Sequence, residues 1–488
     1  MRNAALAALA LLAAAAAPAQ DNNAQAAPRD TAAPAAAAPA QDNKAQAAPR
    51  NIAAQAAAVP AQDTAVPAAP KVYTLQACLE EGLENNYAIR IARGEEQMAA
   101  NRATPGNAGL LPTVDLTASY GGDLNSTHTR TREGASATER NAYDQDWTAR
   151  LSLGWTLFDG MSLVTNYRQL QLLRRQGELH TRLALEDFVA SLAAEYYNFI
   201  QQKIRLKNFR YAVSLSRERV RIVEARYHIG NFSRLDYQQA KVDFNADSAQ
   251  YMKQQEVLNA SAIRLNELMA ARDVGRRLAI RDSVIDVNDR LDFAALRRAT
   301  LEDNTSLLMA ARDTELARLD RKKVLARNYP YVKLSAGYGY THARSAVAST
   351  RLRSQWGMNA GVTVGLNLFD GARRTDRRNA RLAVENARLE RDNLELALRA
   401  DLHNLWQAYE NNLQVLQLER ENLEAARENH EIARDRYLLG DLSGFEMREA
   451  QKSLLDAEER ILTAEYNTKI CEISLLQLSG KVMELLGA

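Results

Sequence analysis

Apolar and polar residues alternate one for one in four short stretches of this chain. In the long segments between them, apolar residues return every seven positions. After Pro112, Val114, Leu116, Ala118 and Tyr120 alternate with Thr113, Asp115, Thr117 and Ser119. Further on, Trp147, Ala149, Leu151, Leu153, Trp155 and Leu157 alternate with polar residues or glycine, and the pattern returns over 332–340 and 356–368. A period of two predicts strands with one apolar and one polar face. A soluble sandwich explains that alternation equally well. Runs of about ten residues, with aromatics near their ends and a polar second face, fit a membrane barrel better. Four strands cannot close a barrel, whose usual minimum is about eight. Strands placed in a membrane would therefore require several chains to share one barrel.

The other segments predict helix. Residues 372–439 contain no proline or glycine, and 161–229 contain only Gly177. At 1.5 Å per residue each would reach roughly 100 Å. Leu192, Phe199, Leu206, Val213, Val220 and Tyr227 fall at steps of seven, as do Leu402, Tyr409, Leu416 and Leu423. A return segment has its own series, Tyr237, Phe244, Tyr251, Leu258 and Leu265. Such steps keep one seam facing a partner helix and favour a left-handed supercoil. Gly230 and Gly440 follow the long helices where a left-handed residue is wanted. Ser233 with Asp236, and Ser443 with Glu446, then spell capping boxes for the next helix. Phe232 and Leu442 sit just before those caps, either as staples onto Tyr237 and Met447 or as an apolar contact for another protein.

The same phrases occur twice. "LQACLEEGLENN" at Leu75 matches "FAALRRATLEDN" at Phe293, and "LLPTVDLTASYG" matches "NYPYVKLSAGYG", carrying Pro112 onto Pro330. "GWTLFDG" at 154–160 matches "GLNLFDG" at 365–371, and "RYHIGNFSRLDYQQAKVD" matches "RYLLGDLSGFEMREAQKS". Order is kept with loop-sized offsets, so the folded part is two copies of one unit, about 75–270 and 293–480. Polar loops are expected between the strands of each copy, near 122–145 and 341–355.

Composition adds the ends. The first 19 residues read as a secretory signal, with Arg2, an Ala and Leu core and an A-x-A site at Ala17-Pro18-Ala19. Residues 20–72 repeat "APAQDN" phrases and, with the signal, hold eight of the eleven prolines. This composition cannot bury enough surface to offset ordering entropy, which predicts a disordered leader before a folded 73–488. The formal charge is +2, which gives no hint of nucleic acid as a partner.

The proline-led strand, the "LFDG" strand-to-helix junction, the "RYxxGxxSxxD" hairpin and the duplicated plan resemble the TolC-like outer membrane efflux protein family. The resemblance covers essentially 73–488. It implies an α+β membrane protein with two tandem repeats, each giving two transmembrane strands and very long coiled-coil helices. It further implies a homotrimer with a 12-stranded barrel in outer-membrane lipid above a periplasmic α-barrel. Such a duct receives substrate from a periplasmic adaptor protein and an inner-membrane RND or ABC pump. Lipid-facing residues would be Leu151, Leu153, Trp155, Val362, Val364 and Leu366. The adaptor-docking tips would be Gly230, Asn231, Phe232 and Ser233, with Gly440, Asp441, Leu442 and Ser443. Glu431 and Asp435, beside Arg434 and Arg436, are candidate gate charges, or they simply solvate the coiled coil.

Catalytic signatures are missing. The six histidines form no H-E-x-x-H spacing, there is no G-x-S-x-G, and "LSGKV" lacks the first glycine of a phosphate loop. No enzyme activity, cofactor or metal is expected. Cys78 and Cys471 either pair after export or sit as buried small side chains. A periplasmic helical scaffold and a stand-alone porin remain the alternative functions.

Overall fold

The structure is a computed structural model, described over residues 72–230, 233–345 and 351–486. The signal, nearly all of the leader, and Asn231 and Phe232 of the first tip lie outside the described residues. In chain order the elements are β1 (Val72–Tyr73), α1 (Leu75–Asn85), α2 (Tyr87–Arg102), β2 (Thr113–Arg130), β3 (Ser136–Asp159), α3 (Ser162–His228) and α4 (Arg234–Leu268). The second half repeats them as β4 (Ala279–Ile280), α5 (Phe293–Asp303), α6 (Thr305–Ala326), β5 (Tyr331–Arg344), β6 (Leu352–Gly365), α7 (Gly371–Leu439) and α8 (Gly444–Leu478), before a short 3-10 turn at Val482–Leu486.

The helices form four columns. Asn86 caps α2 by accepting from the Ala88 and Ile89 amides, while its own Nδ2 donates to the Leu268 carbonyl at 2.9 Å. The start of α2 is thereby tied to the end of α4. Asn304 does the same in the second copy, capping α6 through the Leu307 amide and donating to the Leu478 carbonyl at the end of α8. Side by side, α2 packs on α3, α3 on α6 and α6 on α7; below the two junctions, α4 packs on α3, α3 on α8 and α8 on α7. The column order is therefore α2 over α4, then α3, then α6 over α8, then α7. With 67 and 69 residues, α3 and α7 run the full height, roughly 100 Å.

A four-stranded antiparallel sheet in the order β2-β3-β5-β6 is joined to one end of these columns. Each strand connects to the column in the same position, since α2 leads to β2, β3 to α3, α6 to β5 and β6 to α7. The "LFDG" phrases mark two of those junctions. Asp159 accepts from the Leu163 amide and Asp370 from the Ala372 amide, so each aspartate satisfies an orphan donor at the start of a long helix. The sheet corrects the expected loops. β2 and β3 continue as a paired ribbon to Arg130 and Ser136, leaving a turn of only 131–135 where a loop over 122–145 was expected. In the second copy β5 runs to Arg344 and β6 starts at Leu352, which shortens the expected 341–355 loop as well. Thr, Ser and Asn along the ribbon are compatible with cross-strand pairing, and their polarity alone does not break a ladder. β6 also ends at Gly365, short of the expected Leu368.

The largest core lies midway along the columns, where α1, the parallel β1–β4 pair and the terminal turn wrap α3. Leu192, Tyr196, Phe199 and Ile200 of α3 pack there with Cys78, Leu79, Ile89, Met269, Ile280, Ile473 and Val482. Below it the seams carry the load. The α7 series holds and extends further, with Leu402, Tyr409, Leu416, Leu423, His430 and Tyr437 all buried at steps of seven. The α3 series does not hold throughout. Val213 and Val220 are half-buried, and the buried residues are Ala212, Ser216, Arg219 and Val223. On α4 the bulky series is half-buried from Tyr237 to Leu258 and fully buried only at Leu265, while Ala240, Asp247, Gln254 and Ser261, also seven apart, are buried. The reason is that α3 has neighbours on two sides at this level, so small and polar residues fill the tightest lines. Most of these polar groups are paired, while the buried Nε of Arg219 has no hydrogen-bond partner. Gln254 donates to Gln202 at 2.9 Å, Ser261 donates to Glu195, and Asp247 accepts from Ser216 and from both terminal nitrogens of Arg448. No disulfide joins Cys78 to Cys471, so the pairing option is withdrawn.

Candidate functional site

Three surfaces of this fold are candidates for function. The first is one face of the sheet. Register pairs Val114 with Leu153, Leu116 with Leu151 and Tyr120 with Trp147. It pairs Leu151 with Tyr338 and Trp155 with Leu334, then Leu334 with Val362, Tyr338 with Met358, Tyr340 with Trp356 and Val332 with Val364. Directly paired residues share a face, so the four alternating patterns merge into one continuous apolar surface. Most of it is exposed in the chain, including Leu116 at 76% and Met358 at 81%. A bulge at Leu157 shifts the pattern so that Phe158 pairs with Val332, which takes Leu157 out of the expected series. The aromatics stand in line across the strands: Trp147 lies edge-on to Tyr340 at 5.5 Å, and Tyr340 lies 4.6 Å from Trp356. The opposite face carries Asp115, Thr117, Arg150, Ser152, Gly337, Gly339, Asn359 and Thr363. Of the expected lipid-facing residues, Leu151, Leu153, Trp155, Val362 and Val364 lie on the apolar face, and Leu366 lies one residue beyond the end of β6.

The second surface is the pair of hairpin tips at the far end of the columns. Gly230 and Gly440 have φ of +83° and +94°, where a Cβ would be strained although nothing crowds it. The Gly440 and Asp441 amides both donate to the Arg436 carbonyl, closing α7. Both capping boxes form: Ser233 with Asp236 and Ser443 with Glu446, each serine accepting from the third amide while the acid accepts from the serine amide. The Ser443 hydroxyl and amide hold the Glu446 carboxyl below the usual range. Leu442 is half-buried against Met447, Tyr437, Ala433 and Ala450, the staple geometry. Among the described residues, the tips also expose apolar side chains that the sequence motifs do not mark: Ile229, Leu235, Leu439 and Phe445, the last at 80%. Their signal was present as apolar residues off the buried heptad positions.

Glu431, Arg434, Asp435 and Arg436 are all exposed, and no ion pair joins them among the described residues. Arg434 lines a small cavity of about 30 Å³ with Glu218, Arg219, Tyr437 and Gln451. One turn above, burial and the Arg434 charge push the His430 imidazole below its ordinary pKa.

The third surface is a seam with nothing on it. Besides its buried series, α7 exposes Leu382, Leu389 and Leu396, then Leu418, Ala425, Ile432 and Leu439, each group at steps of seven. The column at the other edge exposes Tyr87, Ile91 and Met98 on α2, and Leu235, Val242 and Ile263 on α4. The sheet likewise ends in two edge strands, β2 and β6. No helix among the described residues is long and apolar enough to cross a membrane, and no group of three or more metal-ligating side chains occurs among them.

A sheet with one continuous exposed apolar face, continued by full-height helical columns that turn back at capped tips, fits an envelope channel protein whose membrane part is made of strands. Comparison with known proteins agrees. The family model described as outer membrane efflux protein matches residues 78–271 and 296–481, and the chain belongs to that family. The two matched segments follow the two copies of the internal repeat. The chain is similar to the outer membrane protein TolC of Vibrio cholerae, at 21% identity over 409 residues, covering 82% of this chain and 89% of the relative. Its fold is similar to a membrane protein from Pseudomonas aeruginosa (TM-score 0.68, 16% identity, 84% and 90% of the two chains covered). It is also similar to the outer membrane protein VceC of Vibrio cholerae (TM-score 0.66, 18% identity, 83% and 96% covered). The protein is an export duct of the outer membrane, with its helices extending into the periplasm.

Proposed function

We propose that three copies of this chain close into one tube, a 12-stranded barrel above a 12-column helical wall, and that the capped tips receive a periplasmic adaptor coupled to an inner-membrane RND or ABC pump. The observation that carries this reading is the match between open edges. The sheet and the columns end at the same two sides of the chain, and both sides are unfinished. An edge strand left unpaired in lipid would strand backbone donors and acceptors at several kcal/mol each. Pairing β6 of one copy with β2 of the next removes those edges. The same closure sets the open leucine seam of α7 against the apolar stripes of α2 and α4 in the next copy, in the manner of a heptad interface. Open apolar seams in the upper and lower thirds of α7 are not needed by a solitary scaffold, and a porin needs no such helical wall. Residues 1–19 serve as the export signal and 20–72 as a leader of the folded 73–488. Glu431 and Asp435 face the tube entrance as charges repeated by symmetry, with Arg434 and Arg436 available to pair them.

The test has two arms. Wild-type protein extracted in mild detergent is expected as a trimer, and Leu389→Arg with Leu396→Arg is expected to yield monomers. A wild-type monomer or dimer would sink the closure. Ile229→Asp with Phe445→Asp, both outside the open α7 seam, is expected to keep the trimer while abolishing adaptor cross-linking and efflux. Unchanged cross-linking would remove the tips from the docking role.

A further inference from the structure

A run of arginines opens α7 directly below the sheet, and neither the barrel nor the tips account for it. Arg374, Arg377, Arg378 and Arg381 are all exposed and none has an ion-pair partner among the described residues. Their neighbours Asp370 and Asp376 are engaged with Arg373 and Arg327. The spacing i, i+3, i+4, i+7 puts the four on one face of the helix.

Which way that face points follows from contacts further down α7. The packed side of the upper helix runs through Arg373, Asp376, Ala380, Val384 and Ala387, all less exposed than their neighbours, and the open leucine seam lies on the opposite side. The arginine face lies between those two seams. About eight turns along, His403 and Trp406 occupy the same angular position as Arg374 and Arg377. Both meet the Phe293 ring of α5, with ring centroids at 5.1 and 5.3 Å. The arginines therefore lie on the α5 side of the helical wall. In a tube, an added layer such as α5 belongs outside, because inside it would plug the duct. The other free face of upper α7 carries Ala372, Asn379, Ala383, Asn386 and Asn393, small neutral side chains suited to a lumen, with Glu390 and no arginine among them.

Depth follows from the chain. β6 ends at Gly365 and α7 begins at Gly371, so Arg374 to Arg381 sit about 5–15 Å along the helix from its start. This is the level of the headgroups next to the end of the membrane strands. The adjacent end of α6 adds exposed Arg318, Arg321 and Lys322 before β5.

The geometry points to a basic collar that binds anionic phospholipid headgroups of the periplasmic leaflet, with Arg374, Arg377, Arg378 and Arg381 of each copy donating to their phosphates. Guanidinium is the group suited to this, since it stays charged and presents paired donors to phosphate oxygens. Juxtamembrane basic residues gain affinity for an anionic surface additively. The inference rests on the tube reading, because that reading defines outside and inside.

The test uses the full-length trimer in mild detergent, titrated with phosphatidylglycerol or with phosphatidylethanolamine, and native mass spectrometry counts the lipids retained. Wild type is expected to retain phosphatidylglycerol in preference. The variant R374Q/R377Q/R378Q/R381Q is expected to lose at least about tenfold of that preference. The matching four-lysine variant is expected to keep most of it, as is R420Q/R427Q lower on the same helix. Equal retention by wild type and the four-glutamine variant would overturn the collar. So would a four-glutamine variant whose lipid retention is unchanged but whose single-channel anion selectivity falls, since the arginines would then line the lumen. Should the four-glutamine chain fail to trimerise, single glutamine variants titrated in the same way decide the matter, with loss graded over the four positions expected and no loss at any position overturning it. A wild-type chain that is not trimeric would count against the tube instead, whereas a trimer without lipid preference counts only against the collar.

Discussion

Leu151→Arg is the sharpest probe of the membrane assignment. Trp147 and Trp155 lie on the same strand and the same face as Leu151, four residues to either side. At about 3.3 Å per residue and a strand tilt near 40°, each tryptophan is roughly 10 Å from Leu151 along the bilayer normal. Leu151 thus sits at the middle of a band bounded by aromatics, where arginine costs about 2–4 kcal/mol. That cost is paid in every copy, so a trimer carries about 6–12 kcal/mol. Even the lower single-chain value is about a 30-fold change in an equilibrium. The assay is the fraction of chain recovered from outer membranes as heat-resistant trimer. A control is built into the strand, because Arg150 is already an arginine on the opposite face, paired with Thr117 and Gly339. Thr148→Arg, on that same polar face, should assemble nearly as wild type. Equal recovery of Leu151→Arg and Thr148→Arg would refute the assignment of the apolar face to lipid.

Two further outcomes follow from the columns. His430 occupies a buried heptad position in α7 with its pKa lowered by burial and by Arg434, against a smaller opposing effect of Glu431. A lowered folded pKa means the unfolded chain takes the proton first, so stability is full above the ordinary value of 6.5 and declines as pH falls from there through the lowered value. Thermal midpoints measured from pH 8 to pH 5 should show that decline, and His430→Leu should flatten it; an unaltered profile in the variant would assign the decline to other groups. Asn304→Ala removes both a helix cap and the tie to the end of α8, and should cost about 1–2 kcal/mol in chemical denaturation with local exchange protection lost at Leu307.

Much of this architecture was legible in the chain because it repeats and because its periods are strict. The alternation at Val114–Tyr120 and at Trp147–Trp155 named the strands and their apolar face, the glycine and capping-box phrases named both tips, and the Leu402 series named a seam that is buried along its length. The ribbon beyond Gly122 reads as loop in the sequence because its Thr, Ser and Asn residues carry no hydrophobic period, whereas cross-strand pairing holds it in the fold. The tip side chains Leu439 and Phe445 do not stand out in the sequence because burial, which separates Leu442 from them, is not written in residue type.

The sequence by itself determined the local geometry: which residues take the strand or helix period, where each helix begins, and that the unit occurs twice. Those are set by interactions within a few residues, namely side-chain alternation, caps and heptads. Tertiary structure decided the column order, the splicing of α4 to α2 and of α8 to α6 through Asn86 and Asn304, and the merging of four apolar strips into one face. It also decided which heptad lines are buried and which stay open. These depend on contacts between residues far apart in the chain, such as Asn304 with Leu478, and a periodic pattern specifies that a seam exists without specifying the neighbour that covers it.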